Sequence, residues 1–526
     1  MQRAILFAAF VTACAAAPPR AAVTPAPPSS EASPASSAPT AEQKTKPPAV
    51  VPRAVPPPPA LCAELLAHAT SGCAPSGPAR PSLAAALSND DLGARDAALA
   101  CLEASEDVPA GSIRALRAEL APEPCADALV APLLETPPKG MTPELESALL
   151  GLTISARLAR LLSDPPQLEG PVDKQRFMTF LSDTLSPWVV GEAAAIEKLS
   201  RDGARLSGYG RGVAALAAGN ADLRFVQMAR EVPLPEAMKA DKAVADAYYG
   251  ELDQALEPRK VRGRDAALVG LRTFAELGAA RDERVSRARR LLNELWAGSR
   301  IDALDRLLLP ELEPLDTATP ERVLAARLPA FYTKLLLADV DPSEPKLLRA
   351  LLEHGVPPPL RAKLDAAKLS DAARTLYARA LVDSGRRYFR AADFRQARVV
   401  IGTPSGELAR LLAAIAQALE TGPSDATELM LKGPLVRGTG DVSALDAEAA
   451  RHGKYAGFAA FDAALVLALA PKQDDPAFWD ELGRRFDRAD KLLSALPHPP
   501  PELAGQKVRD FAEAARATAF ALRTKK

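Results

Sequence analysis

From Leu61 onward, apolar residues recur every three or four positions, in runs separated by short clusters of Pro, Gly, Ser and Asp. That spacing predicts helices that each bury one face. Thr142-Pro143-Glu144 is a helix start, with Thr as N-cap, Pro in the first helical position and an acid in the first turn. "ELESALLGLTISARLARLL" continues it and "SDPP" ends it. "AAAIEKLSRDGARLSGYGRGVAALAAGNADLRFVQMAREV" reads as one long or kinked helix stopped by "PLP". "ADKAVADAYYGELDQALEP", "RDAALVGLRTFAELG" and "DERVSRARRLLNELW" read as further helices. So do "GFAAFDAALVLALAP", "DPAFWDELGRRFDRADKLLSAL" and "PELAGQKVRDFAEAARATAFALR". Nothing alternates in the manner of a strand, and "ARVVIGTP" is the one short strand-like fragment. The expected fold is all-α, with helical hairpins stacked as an irregular α-solenoid.

Residues 15–60 break this pattern with 14 prolines among Ala, Ser, Thr and Val, closing on "VPRAVPPPPA". Such sequence favours extended polyproline II and is not expected to bury a core. At about 3.1 Å per residue it reaches at most on the order of 140 Å. Ahead of it stand Arg3 and the apolar run Ala4 to Val11, well short of the roughly 20 residues that span a bilayer. The pair fits the first two regions of a secretory signal. Val11-Thr12-Ala13-Cys14 then resembles the bacterial lipobox, an aliphatic residue and two small residues before a cysteine. The resemblance implies a diacylglyceryl group on Cys14 and cleavage before it. Ala15, rather than Asp, implies by analogy with enteric bacteria an outer-membrane destination. The alternative is an ordinary signal cut after Ala13 or Ala16. The expected division is a lipoprotein signal (1–13), a lipidated tether (14–60), a Cys-bearing helical segment (61–165), a central helical domain (166–310) and a C-terminal repeat-like domain (311–526).

"LVDSGRRYFRAADFRQARVVI" places Leu381, Gly385, Tyr388, Phe394 and Ala397 at the spacing of a tetratricopeptide repeat, which this stretch resembles. "WDELGRRFDRADKLLSA" gives a second, partial match through Trp479, Leu482, Gly483, Phe486 and Ala495. The first loses its second helix early, at "GTPSG", and no second helix of proper length follows the other before "LPHPPP". No regular 34-residue period links them. The resemblance implies a helical-repeat body that binds proteins.

The 526 residues are 48% hydrophobic and 25% charged, with a formal net charge of −1, so no global basic field recruits nucleic acid. Aromatic content is 5%, low for a stacking platform. Apart from Cys14, the cysteines are Cys62, Cys73, Cys101 and Cys125. They lack C-x-x-C spacing and, in an exported chain, read as disulfides. Of the three pairings, Cys62–Cys73 with Cys101–Cys125 is favoured, because sequence neighbours would staple adjacent helices. Buried free thiols are the alternative.

His68, His354, His452 and His498 never fall three or four apart, and H-E-x-x-H is absent, so no metal or cofactor is expected. "GYGRG" (208–212) lacks the strand and the G-K-[ST] of a phosphate loop, and Gly208 and Gly212 are expected to admit a close helix neighbour. "EPRKVRGRD" gathers Arg259, Lys260, Arg262 and Arg264, a candidate site for an anionic partner, weighed against a solvated loop flanked by Glu257 and Asp265.

The function expected is therefore a lipid-anchored envelope protein whose helical body binds or scaffolds an unknown protein partner without catalysis. The alternative is a periplasmic all-α enzyme acting on cell-wall glycan through paired carboxylates, which needs two such groups about 5–10 Å apart in a cleft.

Overall fold

The computed structural model describes residues 50–67, 79–103, 108–162, 166–168, 170, 173–279, 282–296, 301–312, 319–329, 331–333, 345–353, 355–356, 358–432, 441–469, 474–496 and 507–524. Cys14 and the tether to residue 49 lie outside them, as do Cys73, His68, His354 and His498. The first helices are α1 (Leu61–Ala67), α2 (Ala79–Ser88), α3 (Leu92–Ala100), α4 (Ser112–Leu120), α5 (Ala126–Glu135) and α6 (Pro143–Leu161). Their starts follow local chemistry. Asp91 caps α3 by accepting the Ala94 N–H at 2.7 Å, and Thr142 caps α6 by accepting the Leu145 N–H at 3.2 Å.

Next come α7 (Lys174–Thr179), a π-helical turn over Phe180–Leu185, α8 (Ser186–Ala204) and α9 (Gly208–Glu231). The stretch read as one long or kinked helix is two helices, broken at residues 205–207. The break is held from α6: the Ser147 hydroxyl donates to the Ser207 carbonyl at 2.8 Å and accepts the Ser207 N–H at 3.2 Å. Then follow α10 (Glu236–Ala240), α11 (Lys242–Glu276), α12 (Glu283–Leu295), α13 (Pro320–Arg327), α14 (Pro345–Glu353) and α15 (Pro358–Lys363).

Helix α9 packs against α6, α8, α11 and α12. Its approach to α11 is so close that glycines are needed opposite the partner's side chains. Gly212 and Gly219 on α9 receive Phe274 and Ala267 of α11, and Gly263 and Gly270 on α11 receive Leu223 and Leu216 of α9, each glycine pair seven residues apart. A Cβ on Gly219 would stand 2.7 Å from the Ala267 backbone nitrogen, and one on Gly270 would stand 2.5 Å from Leu216 Cγ. Gly210 does the same toward α6, where Gly151 meets its backbone. The close-approach role expected of Gly208 belongs instead to Gly210, since a Cβ on Gly208 would meet nothing within 4 Å.

The C-terminal part is organised differently. Helices α16 (Asp371–Tyr388), α17 (Ala391–Ile401), α18 (Glu407–Leu419), α19 (Ala426–Lys432), α20 (Ser443–Ala450), α21 (Ala456–Ala468), α22 (Pro476–Ser494) and α23 (Val508–Thr524) complete the chain. Contacts run α16 to α17, α17 to α18, α18 to α20, α20 to α21, α21 to α22 and α22 to α23, each helix lying on one near it in sequence. In the α16–α17 hairpin Leu381, Gly385, Tyr388, Phe394 and Ala397 are all buried, and Gly385 leaves room for the Phe394 ring. The strand-like "ARVVI" is the second helix of that hairpin, because Phe394, Ala397, Val400 and Ile401 bury one helical face. The "WDELGRR" helix does have a partner, α23, which arrives only after the "LPHPPP" break. Among the described residues there is no strand, and no helix is long and apolar enough to cross a membrane.

One disulfide joins Cys62 on α1 to Cys125 at the start of α5, with Cα atoms 5.2 Å apart. This overturns both expected nearest-neighbour pairings. Packing of α1 on α5 outweighs sequence proximity. Cys101 is also disulfide-bonded.

Three outcomes follow from this packing. Gly219→Val forces a branched side chain into backbone and should cost at least about 1–3 kcal/mol, read as a lower unfolding midpoint. Gly250→Ala, on α11 where nothing lies within 4 Å, should gain about 0.5–1 kcal/mol. Non-reducing peptide mapping should recover a Cys62–Cys125 crosslink, and Cys62→Ser should cost about 2–5 kcal/mol.

Candidate functional site

Residues 50–60, the end of the proline-rich segment, lie along the body as a strap. The Arg53 N–H donates to the Gly191 carbonyl at 2.9 Å, and Gly191 has no Cβ to hold the strap off. The Arg53 guanidinium donates to the Leu161 carbonyl at 3.0 Å and to Glu192 Oε2 at 2.9 Å. Further along, Arg160 donates to the Pro56 carbonyl at 2.8 Å while holding Asp127 through two bonds of 2.6 Å. Val55 packs on the apolar cluster of α6, α8 and α9. A segment expected to stand clear of the core is thus bound at its end.

Glu192 is 0% exposed, and burial pushes its carboxyl up, with Arg53 opposing the shift. Beside it, Arg53, Trp188, Phe225 and Arg259 form a chain of stacked contacts. Arg53 lies 5.9 Å from the Trp188 ring, Trp188 stacks on Phe225 at 5.7 Å and 12°, and Arg259 lies 4.4 Å from the Phe225 ring.

Arg259 leads the basic run, and the run is no loop. It sits within the 35-residue helix α11, which continues through Pro258. Proline removes one helical hydrogen bond. The next turn is clamped to α9 instead, where Asp222 accepts from Arg259 at 2.9 Å and from Arg262 at 2.7 and 2.8 Å. At 4% exposure Arg259 is closed to a partner. Arg262 also lies 3.9 Å from Glu197. Lys260 sits over the Trp296 ring and 3.9 Å from Glu257, and Arg264 pairs with Asp265 at 2.8 Å. Of the four cations expected to greet an anion, Arg259 is buried, and Lys260, Arg262 and Arg264 are half-buried with an acidic neighbour each.

A second buried polar group joins α4, α9 and α12. The Tyr209 hydroxyl donates to Glu119 Oε1 at 2.7 Å, Arg284 also donates to that oxygen, and Arg284 donates to the Tyr209 oxygen at 2.9 Å. Tyr209 stacks on Phe331 at 4.6 Å. Burial pushes the Glu119 carboxyl up against the pull of Arg284. A third lone carboxylate, Asp462 on α21, accepts the Leu308 N–H at 2.7 Å, and burial raises its pKa well above the ordinary value.

Two clefts lie elsewhere. One of about 580 Å³ runs beside α12 and is lined by Ser286, Arg289, Arg290, Asn293, Glu294 and Arg387, with Asp302 and Asp305. A smaller one of about 250 Å³ is lined by residues of α11 together with Tyr388, Arg390 and Asp425. Glu119, Glu192 and Asp462, whose carboxyls burial raises, line neither. Among the described residues, no group of three or more His, Cys, Asp or Glu is placed to hold a metal ion. His452 is exposed in a turn.

No family model, curated protein or solved structure matches this chain.

Sequence reasoning passed over Arg53, Arg160 and Glu192. A signal was present for the first: between Lys46 and Glu64, Arg53 is the only charged residue. A solitary cation in an apolar, proline-rich stretch that precedes a core is a candidate for a buried pair.

Arg53→Ala should leave Glu192 buried and unpaired, costing about 3–5 kcal/mol and opening residues 50–60 to earlier proteolysis. Arg53→Ala/Glu192→Leu should recover most of the loss, read by denaturant midpoints. Asp462 sits above its unfolded pKa, so its contribution is full in acid and is lost as pH rises through the raised value. Asp462→Asn should therefore gain on wild type at neutral pH and not at about pH 4, again read by denaturant midpoints.

Proposed function

We propose that the chain is a lipid-anchored cell-envelope protein whose helical body binds or scaffolds a protein partner. Cys14 is the acylated residue, and residues 15–49 are the tether that leads to the strap. The observation that carries the reading is the run of α16 to α23, in which each helix packs on a near neighbour in sequence. Arrays of this kind are built from hairpins and present extended faces to other proteins. The buried tetratricopeptide-like positions of α16 and α17 agree with it. The docked strap adds a second support: a tether that ends in a fixed attachment delivers the body in one orientation. Glu119, Glu192 and Asp462 line neither cleft, so the raised carboxyls do not support the glycan-cleaving alternative.

In membrane fractions of an expressing bacterium, the wild-type protein should sediment with the outer membrane and carry an acylated Cys14 by mass spectrometry. Cys14→Ser should release it to the soluble fraction. Crosslinking the wild type in intact cells should trap a discrete protein adduct. A mature N-terminus other than Cys14 would remove the anchor, and a chain that crosslinks to nothing would remove the scaffold.

A further inference from the structure

The groove that holds the strap is selective for what lies in it. Over Arg53-Ala54-Val55-Pro56 the body takes up one side chain by charge, one by apolar contact, and the main chain at two points. The Arg53 guanidinium lies 5.9 Å from the Trp188 ring and donates to Glu192 and to the Leu161 carbonyl at the end of α6. Val55, two residues on, packs against the cluster of α6, α8 and α9. The Arg53 N–H meets the Gly191 carbonyl, and the Pro56 carbonyl meets Arg160. Pro52 and the four prolines from Pro56 to Pro59 carry no N–H that an apolar wall would leave unsatisfied. Aromatic-lined grooves are a recurrent means of reading proline-rich segments, whose extended backbone is largely preformed. Here the aromatic ring stands four residues from an acid on the same helix, so the groove reads an arginine as well.

The strap does not use all that the groove offers. Arg53 makes both of its bonds through one nitrogen, Nη1. Glu192 therefore accepts from Arg53 at Oε2 alone, while Oε1 is buried without a hydrogen-bond partner. A guanidinium set squarely on Glu192 would engage both oxygens through its fork. The hold on the strap is also short. Of residues 50–60 only Arg53, Val55 and Pro56 are half-buried, and the others are exposed. A clasp of this kind, with a fully buried carboxylate only half used, is open to exchange for a ligand that satisfies it better.

We infer that this groove is a binding site for an extended proline-rich segment of a partner protein, bearing an arginine three residues ahead of a proline, and that residues 53–56 fill it in cis as a covering ligand. The partner's arginine takes over Glu192, its proline-side carbonyl takes over Arg160, and the strap lifts away. The site is formed by α6 and α8, apart from the α16–α23 array, and it does not depend on the lipid anchor.

The test titrates a fluorescein-labelled peptide of the strap's own sequence, VPRAVPPPPA, into purified full-length protein and reads anisotropy. Arg53→Ala, whose strap no longer competes for Glu192, should bind it with a Kd below about 100 μM. Wild type should bind at least about tenfold more weakly, since its own strap competes at an effective concentration on the order of millimolar. Val55→Asp loosens the strap but keeps Arg53 paired with Glu192, so it should fall between the two, and it carries the test if Arg53→Ala does not stay folded. Arg53→Ala/Glu192→Leu should not bind, and a peptide with glutamine in place of its arginine should bind none of the proteins. No saturation of either loosened variant to about 1 mM, or binding that ignores the loss of Glu192 or of the peptide arginine, would overturn the inference. Concentration-dependent dimers of wild type that Arg53→Ala abolishes would assign the groove to the strap of a second copy and overturn it as well. None of these results bears on membrane attachment or on partner binding by the α16–α23 array.

Discussion

The close contact of α9 with α11 is the constraint from which much of the N-terminal half follows. With glycine at 212, 219, 263 and 270, each helix offers notches that the other fills: Phe274 and Ala267 of α11 sit over Gly212 and Gly219, and Leu223 and Leu216 of α9 sit over Gly263 and Gly270. Such a seam gains dispersion contacts along its length, and these few apolar knobs share the fixing of its register with charge. Asp222 is one step past the α9 glycine–alanine face, and it receives two arginines from consecutive turns of α11. Sliding α11 by one residue would strand a carboxylate that is 1% exposed, which is costly in a dry interior.

The same device recurs. Arg117 reaches Asp96 through two bonds and the Leu65 carbonyl through a third. Arg160 ties α6 to α5 and to the strap. Arg284 joins α12 to α4 and α9. In a chain with 5% aromatic residues and an alanine-rich core, few large side chains are available to interlock. Buried guanidinium groups do the positional work that aromatic packing does elsewhere, because a planar fork accepts only a narrow range of geometries.

This division explains what was legible in the sequence. Helix starts such as Thr142-Pro143 and the apolar faces of α16 and α17 are local, written in consecutive residues, and they read correctly. The break at 205–207 was invisible because its backbone is satisfied by Ser147, about 60 positions away. "EPRKVRGRD" looked like a surface loop because its counter-charge, Asp222, lies on another helix, and a proline inside a helix is ordinarily a stop. The disulfide was misassigned on the same ground: proximity in sequence stood in for proximity in space. Of the two glycines expected to admit a close neighbour, Gly212 does so and Gly208 does not, while Gly219, Gly263 and Gly270 gave no sign in the sequence because the residues they face lie on another helix. As to sites, of the four cations singled out Arg259 is buried and the other three are half-buried, each with an acidic neighbour, and the cleft beside α12 combines side chains from 286 to 387, a constellation no linear pattern announces.

The Cys62–Cys125 bond has a mechanical meaning. A pull applied from the N-terminal side passes first along the extended strap, where Arg53 and the Pro56 carbonyl anchor it to α6 and α8. Any tension that gets past this clasp arrives at Cys62. There the sulfur bridge carries it straight to Cys125, across a sequence separation of 63 residues. The helices between, α2 to α4, lie on a slack branch of the covalent path. Their stretch of backbone carries no tension while the bridge is intact, so along the covalent path force passes directly to the α5–α6 wall.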